Sequence, residues 1–205
     1  MPWNDLLTPF WRIAWRLLAV LLVAGCAALP PSPGSLAVAR RDAIDDFSLE
    51  ARFSLRHEDQ NYSGRLSWRH SGGDDELLLA SPFGQGIAQL ISDPRGARLT
   101  MSDGQVYTAE DGAALTRQVL GYPLPVAQLA DWVRGRGAAI EADQRGRPLR
   151  LRQDGWNIAY DYASDDAQAP PSRIVAQRDD GAELRLRIDE WTALPTALPP
   201  VKDTL

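Results

Sequence analysis

The sequence predicts a mainly antiparallel β protein whose single large sheet curls around an apolar face and takes helices as its cover. Three observations predict it. Apolar and polar residues alternate with period two over most of residues 47–191, as in strands with one buried face. Turn signals at Gly72-Gly73, Pro94-Arg95-Gly96, Asp103-Gly104 and Asp180-Gly181 fall between those runs, so successive strands fold back on one another. One block, residues 113–135, replaces the alternation with helical spacing.

The elements follow in order. Phe47, Leu49, Ala51, Phe53 and Leu55 share one face of the first strand, and Ser48, Glu50, Arg52, Ser54 and Arg56 share the other. Tyr62, Gly64, Leu66 and Trp68 repeat the pattern, and the short polar link 57–61 makes the pair a hairpin. Further strands are expected at 76–80, 85–91, 97–101 and 105–108. A helix over 113–120, carrying Leu115 and Leu120, stops at Gly121, a helix-ending glycine. Pro125 suits the first turn of a second helix, whose stripe is Val126, Leu129, Ala130 and Val133, with Trp132 beside it and Gly135 at its end. Strands resume at 138–142, 148–153, 156–162, 173–177 and 183–191, which brings the expected count to eleven. Trp156, Ile158 and Tyr160 lie on one side, as do Leu184, Leu186 and Ile188. A sheet of that many sequential strands must curl, and its apolar face needs a cover that the two helices can supply.

Ahead of this body, Arg12 and Arg16 flank an apolar opening, and residues 17–23 form an unbroken apolar run. That run is shorter than the ~20 residues a spanning helix needs, and small residues follow it, which together describe a secretion signal over residues 1–25. Val23-Ala24-Gly25-Cys26 resembles a bacterial lipobox. The resemblance implies cleavage before Cys26, diacylglycerol on its sulfur and an acyl group on its new amine. The alternative is an ordinary signal with an incidental cysteine, but a lone exposed thiol is a liability in an oxidising compartment. Residues 26–35 then read as a lipidated, Pro-rich flexible tether, and 36–46 as a short amphipathic helix opening a domain that runs to Trp191. Residues 192–205 are a Pro-rich tail with no assigned role. Ala27 follows the cysteine; in families with this signal an aspartate there marks inner-membrane retention, so its absence favours the outer membrane.

Composition excludes several functions. Removing residues 1–25 takes away Arg12 and Arg16 along with Asp5, which moves the net charge from −5 to −6. An acidic body with no basic block in its sequence argues against nucleic acid and against electrostatic adhesion to anionic lipid. The sole lysine, Lys202, rules out a Gly-x-x-x-x-Gly-Lys phosphate loop, and no Gly-x-Ser-x-Gly elbow occurs. His57 and His70 are the only histidines, both read as surface residues, and a metal site needs more such ligands. The carboxylates of Asp74-Asp75-Glu76, Asp165-Asp166 and Asp179-Asp180 fall at turns and read as solvated. No enzyme, cofactor or metal is expected, and a monomer is.

Two features suggest a task. The inner face carries an apolar surplus that reads either as a filled core or as the wall of a cavity: Phe47, Leu49, Phe53 and Leu55, with Leu66 and Trp68, and from later strands Trp156, Ile158, Tyr160, Leu184 and Leu186. Ser81-Pro82-Phe83-Gly84 forms a tight turn that would present Phe83 at its tip, although a partly tucked ring is the ordinary alternative.

The ordered set Gly64-Arg65-Leu66-Ser67-Trp68, Leu77-Leu78-Leu79-Ala80-Ser81-Pro82-Phe83-Gly84, Leu120-Gly121-Tyr122-Pro123-Leu124-Pro125, Trp132-Val133-Arg134-Gly135, Gly155-Trp156 and Ile188-Asp189-Glu190-Trp191 closely resembles the LolB family. The likeness runs from about Ile44 to Trp191. It implies an open antiparallel half-barrel of about eleven strands enclosing an apolar cavity, with helices at its mouth as a lid that includes Leu115, Leu120, Leu129 and Trp132. It implies a lipid-anchored protein of the outer membrane, facing the periplasm, that takes acylated lipoproteins from a LolA-type periplasmic carrier and inserts them into that membrane. The family carries an exposed apolar residue, often leucine, on a protruding loop; Pro82, Phe83 and Gly84 occupy that place here. The rival expectation is an envelope lipoprotein that transfers nothing and has a structural or lipid-binding role.

Overall fold

The computed structural model describes residues 43–137 and 139–195. The signal, Cys26, the tether and the tail beyond Pro195 lie outside the described residues, as does most of the helix expected over 36–46. Its described end, residues 43–46, is not helical. The guanidinium groups of Arg134 and Arg136 donate to the carbonyl of Ile44 (3.4 and 2.7 Å) and Arg134 also to that of Asp45 (3.0 Å), which ties this segment to residues 134–136.

Eleven strands and two helices follow among the described residues. They are β1 Phe47–His57, β2 Gln60–Ser71, β3 Asp74–Ala80, β4 Gly86–Asp93, β5 Gly96–Met101 and β6 Val106–Ala109, then α1 Gly112–Leu120 and α2 Val126–Val133. The chain continues with β7 Ala139–Ala142, β8 Pro148–Gln153, β9 Trp156–Asp161, β10 Arg173–Arg178 and β11 Glu183–Ala193. All the strands belong to one sheet, ordered β6-β5-β4-β3-β2-β1-β11-β10-β9-β8-β7, in which every neighbouring pair is antiparallel. The long strands β1, β2 and β11 form the middle. β6 and β7 are the edges and do not pair with each other, so the sheet stays open.

The alternation sets the register. In the β1–β2 hairpin Leu49 faces Trp68 and Ala51 faces Leu66, while Arg52 faces Arg65 on the outside, so a slip of one residue would expose the whole apolar set. The interruption crosses the inner face. Asp111 caps α1 by accepting from the Ala114 amide at 2.7 Å, and the helix ends where the Gly121 amide donates to the Arg117 carbonyl. α2 starts after Pro125, and a methyl group at Gly112 would stand 2.7 Å from the Val126 Cβ, so the two helices touch backbone to side chain.

Two expectations about polar residues are corrected. His70 and Asp75 are buried, not solvated. The Gly72-Gly73 turn sets them opposite each other on the inward side, the same side as Leu66 and Trp68. There the imidazole Nδ1 lies 2.7 Å from an Asp75 oxygen that also accepts from the Trp68 indole N–H at 2.9 Å, so each buried polar group finds a partner. Phe47 stacks between the rings of His70 (5.2 Å) and Trp191 (4.7 Å) at that end. His57 is half-buried with its ring 4.1 Å from that of Tyr122. Asp165, Asp166, Asp179 and Asp180 are exposed.

Candidate functional site

The inner face is divided. Beneath the middle of the sheet, β3–β5 and α1 lies a cavity of about 440 Å³, within the roughly 300–1,000 Å³ range of ligand pockets. Its floor carries Phe53, Leu55, Leu66 and Trp68 from the hairpin, with Leu184 and Leu186 from β11. One wall is Leu77, Leu79, Ala88, Leu90, Leu99 and Met101. The roof consists of Leu115, Val119 and Leu120 on α1, Leu124 in the link, and Val126 and Leu129 on α2. No charged side chain lines it; its polar residues are Tyr62, Ser63 and Thr116. The Thr116 hydroxyl is already engaged, donating to the Gly112 carbonyl (2.9 Å) and accepting from the Leu124 amide (2.8 Å). Such a lining can shelter hydrocarbon, and it holds no carboxylate, imidazole, thiol or amine.

The other half of the face is filled. Trp132, fully buried, leaves α2 to lie 5.8 Å from the Trp156 ring, and its indole N–H donates to the Gln153 side chain at 2.9 Å. Leu151, Ile158, Tyr160 and Ile174 complete a packed core there. Burial pushes the pKa of the Tyr160 hydroxyl well above its ordinary value, and that hydroxyl has no hydrogen-bond partner among the described residues. Of the inner-face residues singled out in the sequence, Phe53, Leu55, Leu66, Trp68, Leu184 and Leu186 line the cavity, as do Leu115, Leu120 and Leu129 of the lid. Phe47, Leu49, Trp156, Ile158, Tyr160 and Trp132 do not; they are buried in packed regions because facing aromatic rings consume the space between sheet and helix. Sequence reasoning misses the wall of β3–β5. The signal is present in the same alternation, as Leu77/Leu79, Ala88/Leu90 and Leu99/Met101.

Phe83 stands apart from both halves and is 94% exposed, on the loop between β3 and β4. The Gly84 amide donates to the Ser81 carbonyl (2.9 Å), the Ser81 amide to the Gln85 carbonyl (2.8 Å) and the Gln85 amide to the Ser81 hydroxyl (3.2 Å). With Pro82 fixing one dihedral and Gly84 at φ +89°, the loop is a closed turn that points its phenylalanine outward. Among the described residues no helix is long and apolar enough to cross a membrane, and no three His, Cys, Asp or Glu side chains gather as a metal site.

The fold and site define a class: an open antiparallel half-barrel with an apolar cavity under two helices and one exposed aromatic on a tight turn. The sequence model of the family described as outer membrane lipoprotein LolB matches residues 45–191, and the chain belongs to that family. It is 41% identical over 187 residues to the outer-membrane lipoprotein LolB of Dechloromonas aromatica, covering 87% of this chain and 96% of that one. It is 40% identical over 189 residues to that of Thiobacillus denitrificans, covering 89% and 95%. Among solved structures, a LolA superfamily protein from Nitrosomonas europaea aligns at a TM-score of 0.47 and 10% identity over 81% of this chain and 94% of its own.

Proposed function

We propose that this protein is a receptor at the outer membrane that accepts acylated lipoproteins from a LolA-type periplasmic carrier and inserts them into the membrane, anchored there through acyl groups on Cys26. The observation that carries the reading is the cavity: an apolar space of about 440 Å³ beside a half of the same face whose aromatic and aliphatic side chains are buried. An acyl chain exposed to water costs about 0.8 kcal/mol per methylene, so a dozen methylenes bind an apolar shelter by roughly 10 kcal/mol before losses. A purely structural lipoprotein has no use for such a space; a lipid-binding lipoprotein that transfers nothing is separated from this reading by the transfer test below. With no covalent step required, direction comes from differential affinity: the carrier holds cargo least, this cavity more, and the bilayer most. Phe83 enters the bilayer at release, where burying its ring contributes about 1.5–3 kcal/mol.

The test mixes a carrier loaded with an acylated lipoprotein with this protein and then with vesicles. Wild type is expected to take up cargo and deliver it. Phe83→Glu, on a turn that packs against nothing, is expected to take up cargo and retain it. Failure of the wild type to accept cargo overturns the receptor reading, and normal delivery by Phe83→Glu overturns the insertion role.

A further inference from the structure

The outer face of the sheet assembles a basic surface that no stretch of the sequence contains. In consecutive cross-strand positions Arg65 of β2 faces Arg52 of β1, Arg52 faces Arg187 of β11, and Arg187 faces Arg173 of β10. Four arginines thus stand in one row across four strands, about 4.8 Å apart, in a chain whose net charge is −5. Like charges directly opposite one another destabilise a sheet, so folding alone gives no reason for the row. Arg185 lies beside it, and a shallow groove of about 660 Å³ runs between Arg52, Arg173, Arg185 and Arg187, with Ser54 and Ser172 on its walls.

Carboxylates stand among them: Asp161 and Asp189 line the same groove, and Glu50, Glu183 and Glu190 occupy neighbouring outward positions. At the irregularity between Glu50 and Ala51, β11 holds one residue without a ladder partner, Asp189, whose carboxylate accepts both Nε (3.0 Å) and Nη2 (2.7 Å) of Arg52. That contact, with Arg187 and Arg65 nearby, holds the Asp189 pKa below its ordinary value. Asp161 reaches Arg173 only at 3.8 Å, and Arg185 shares Glu183 at 2.9 Å. Arg65 and Arg187 form no ion pair among the described residues, and both are exposed.

We propose that this arginine groove docks on a bilayer surface by binding the phosphates of anionic lipid headgroups. Guanidinium groups match phosphate oxygens in planar, two-point contacts, and a row of them engages neighbouring headgroups together. The position of the row selects a membrane over an acidic protein. Arg65 faces Ala80, the last residue of β3, so the row ends one residue before the turn that carries Phe83. The inference rests on the reading that Phe83 enters the bilayer: the groove sets the headgroup contact and the phenylalanine the apolar one.

The test uses the chain from Ala27 onward, which lacks the acylated cysteine and retains every described strand and helix. Its binding is measured by co-sedimentation with phosphatidylcholine vesicles and with vesicles of equal parts phosphatidylcholine and phosphatidylglycerol. Wild type is expected to prefer the mixed vesicles and to lose that preference as salt rises. Each arginine near an anionic surface is worth about fivefold, so Arg65→Gln/Arg187→Gln should bind mixed vesicles roughly twenty-five-fold more weakly and phosphatidylcholine unchanged. Arg98→Gln/Arg145→Gln removes the same charge outside the row and should behave as wild type; cargo uptake and thermal midpoint confirm that each variant is folded. A wild type indifferent to lipid charge, a row variant that binds as wild type, or a control variant that loses as much overturns the proposal. A row variant that binds vesicles normally but accepts cargo slowly from its carrier assigns the surface to the carrier instead, and also overturns it. Phe83→Ser, which removes the ring without adding charge, should weaken binding to both vesicle types by the same factor. If it does not, the insertion reading fails while the lipid-charge dependence still judges the groove.

Discussion

Under β8–β11, α2 sets Trp132 against Trp156, and Leu151, Ile158, Tyr160 and Ile174 are buried on the same face. Under β1–β5, α1 offers Leu115, Thr116, Val119 and Leu120 to a floor and wall of leucines with Phe53, Trp68 and Ala88, and about 440 Å³ stays empty. Both halves belong to one sheet with one alternation and lie under one helical hairpin. What separates them is side-chain volume at facing positions. In the packed half a helix ring meets a sheet ring across the gap, whereas the helices send no aromatic side chain toward Phe53 and Trp68 on the other side. The packed half therefore holds the molecule together and leaves the other half free to stay open.

That division can be broken from either side. The largest effect is expected from Trp132→Ala, which removes a fully buried indole from the packed half and should cost about 3–5 kcal/mol of stability in a urea titration. A loss under about 1 kcal/mol would mean that the half is not the structural one. Ala88→Trp aims at the empty half. An indole there should leave the unfolding midpoint nearly unchanged but displace several methylenes of shelter, lowering affinity for a fluorescent acyl-chain probe by roughly a hundredfold. Unaltered probe binding in a folded Ala88→Trp would show that acyl chains lie elsewhere. The finest adjustment is Tyr160→Phe. Its buried hydroxyl has no partner among the described residues, so deleting it should stabilise by about 1 kcal/mol, read as a higher midpoint with no change in probe affinity.

The sheet is legible in the sequence because period-two alternation and turn residues act locally, and the antiparallel order follows from short connections. The Ser81–Gly84 turn is legible for the same reason, since Pro82 and Gly84 dictate it within four residues, whereas the exposure of Phe83 depends on what the rest of the fold brings near it. The division of the inner face is not, because it depends on which side chains meet across the helix–sheet gap, and Trp132 and Trp156 lie far apart along the chain. The burial of His70 and Asp75 is a narrower miss. Parity places His70 beside Trp68 on the inward side, but acidic residues next to Gly72-Gly73 read as a solvated turn. The arginine row is least visible, being drawn from residues 52 to 187 and brought into line by the register alone.

An open sheet must leave two flanks with unsatisfied amides and carbonyls, the usual template for strand-to-strand polymerisation. Here each flank is four residues long: Val106–Ala109 on one side and Ala139–Ala142, with two register irregularities, on the other. A foreign strand docking there would find too short a ladder to repay its ordering. The molecule can thus keep its mouth permanently unsealed without growing into fibres, a safeguard that a closed barrel would never require.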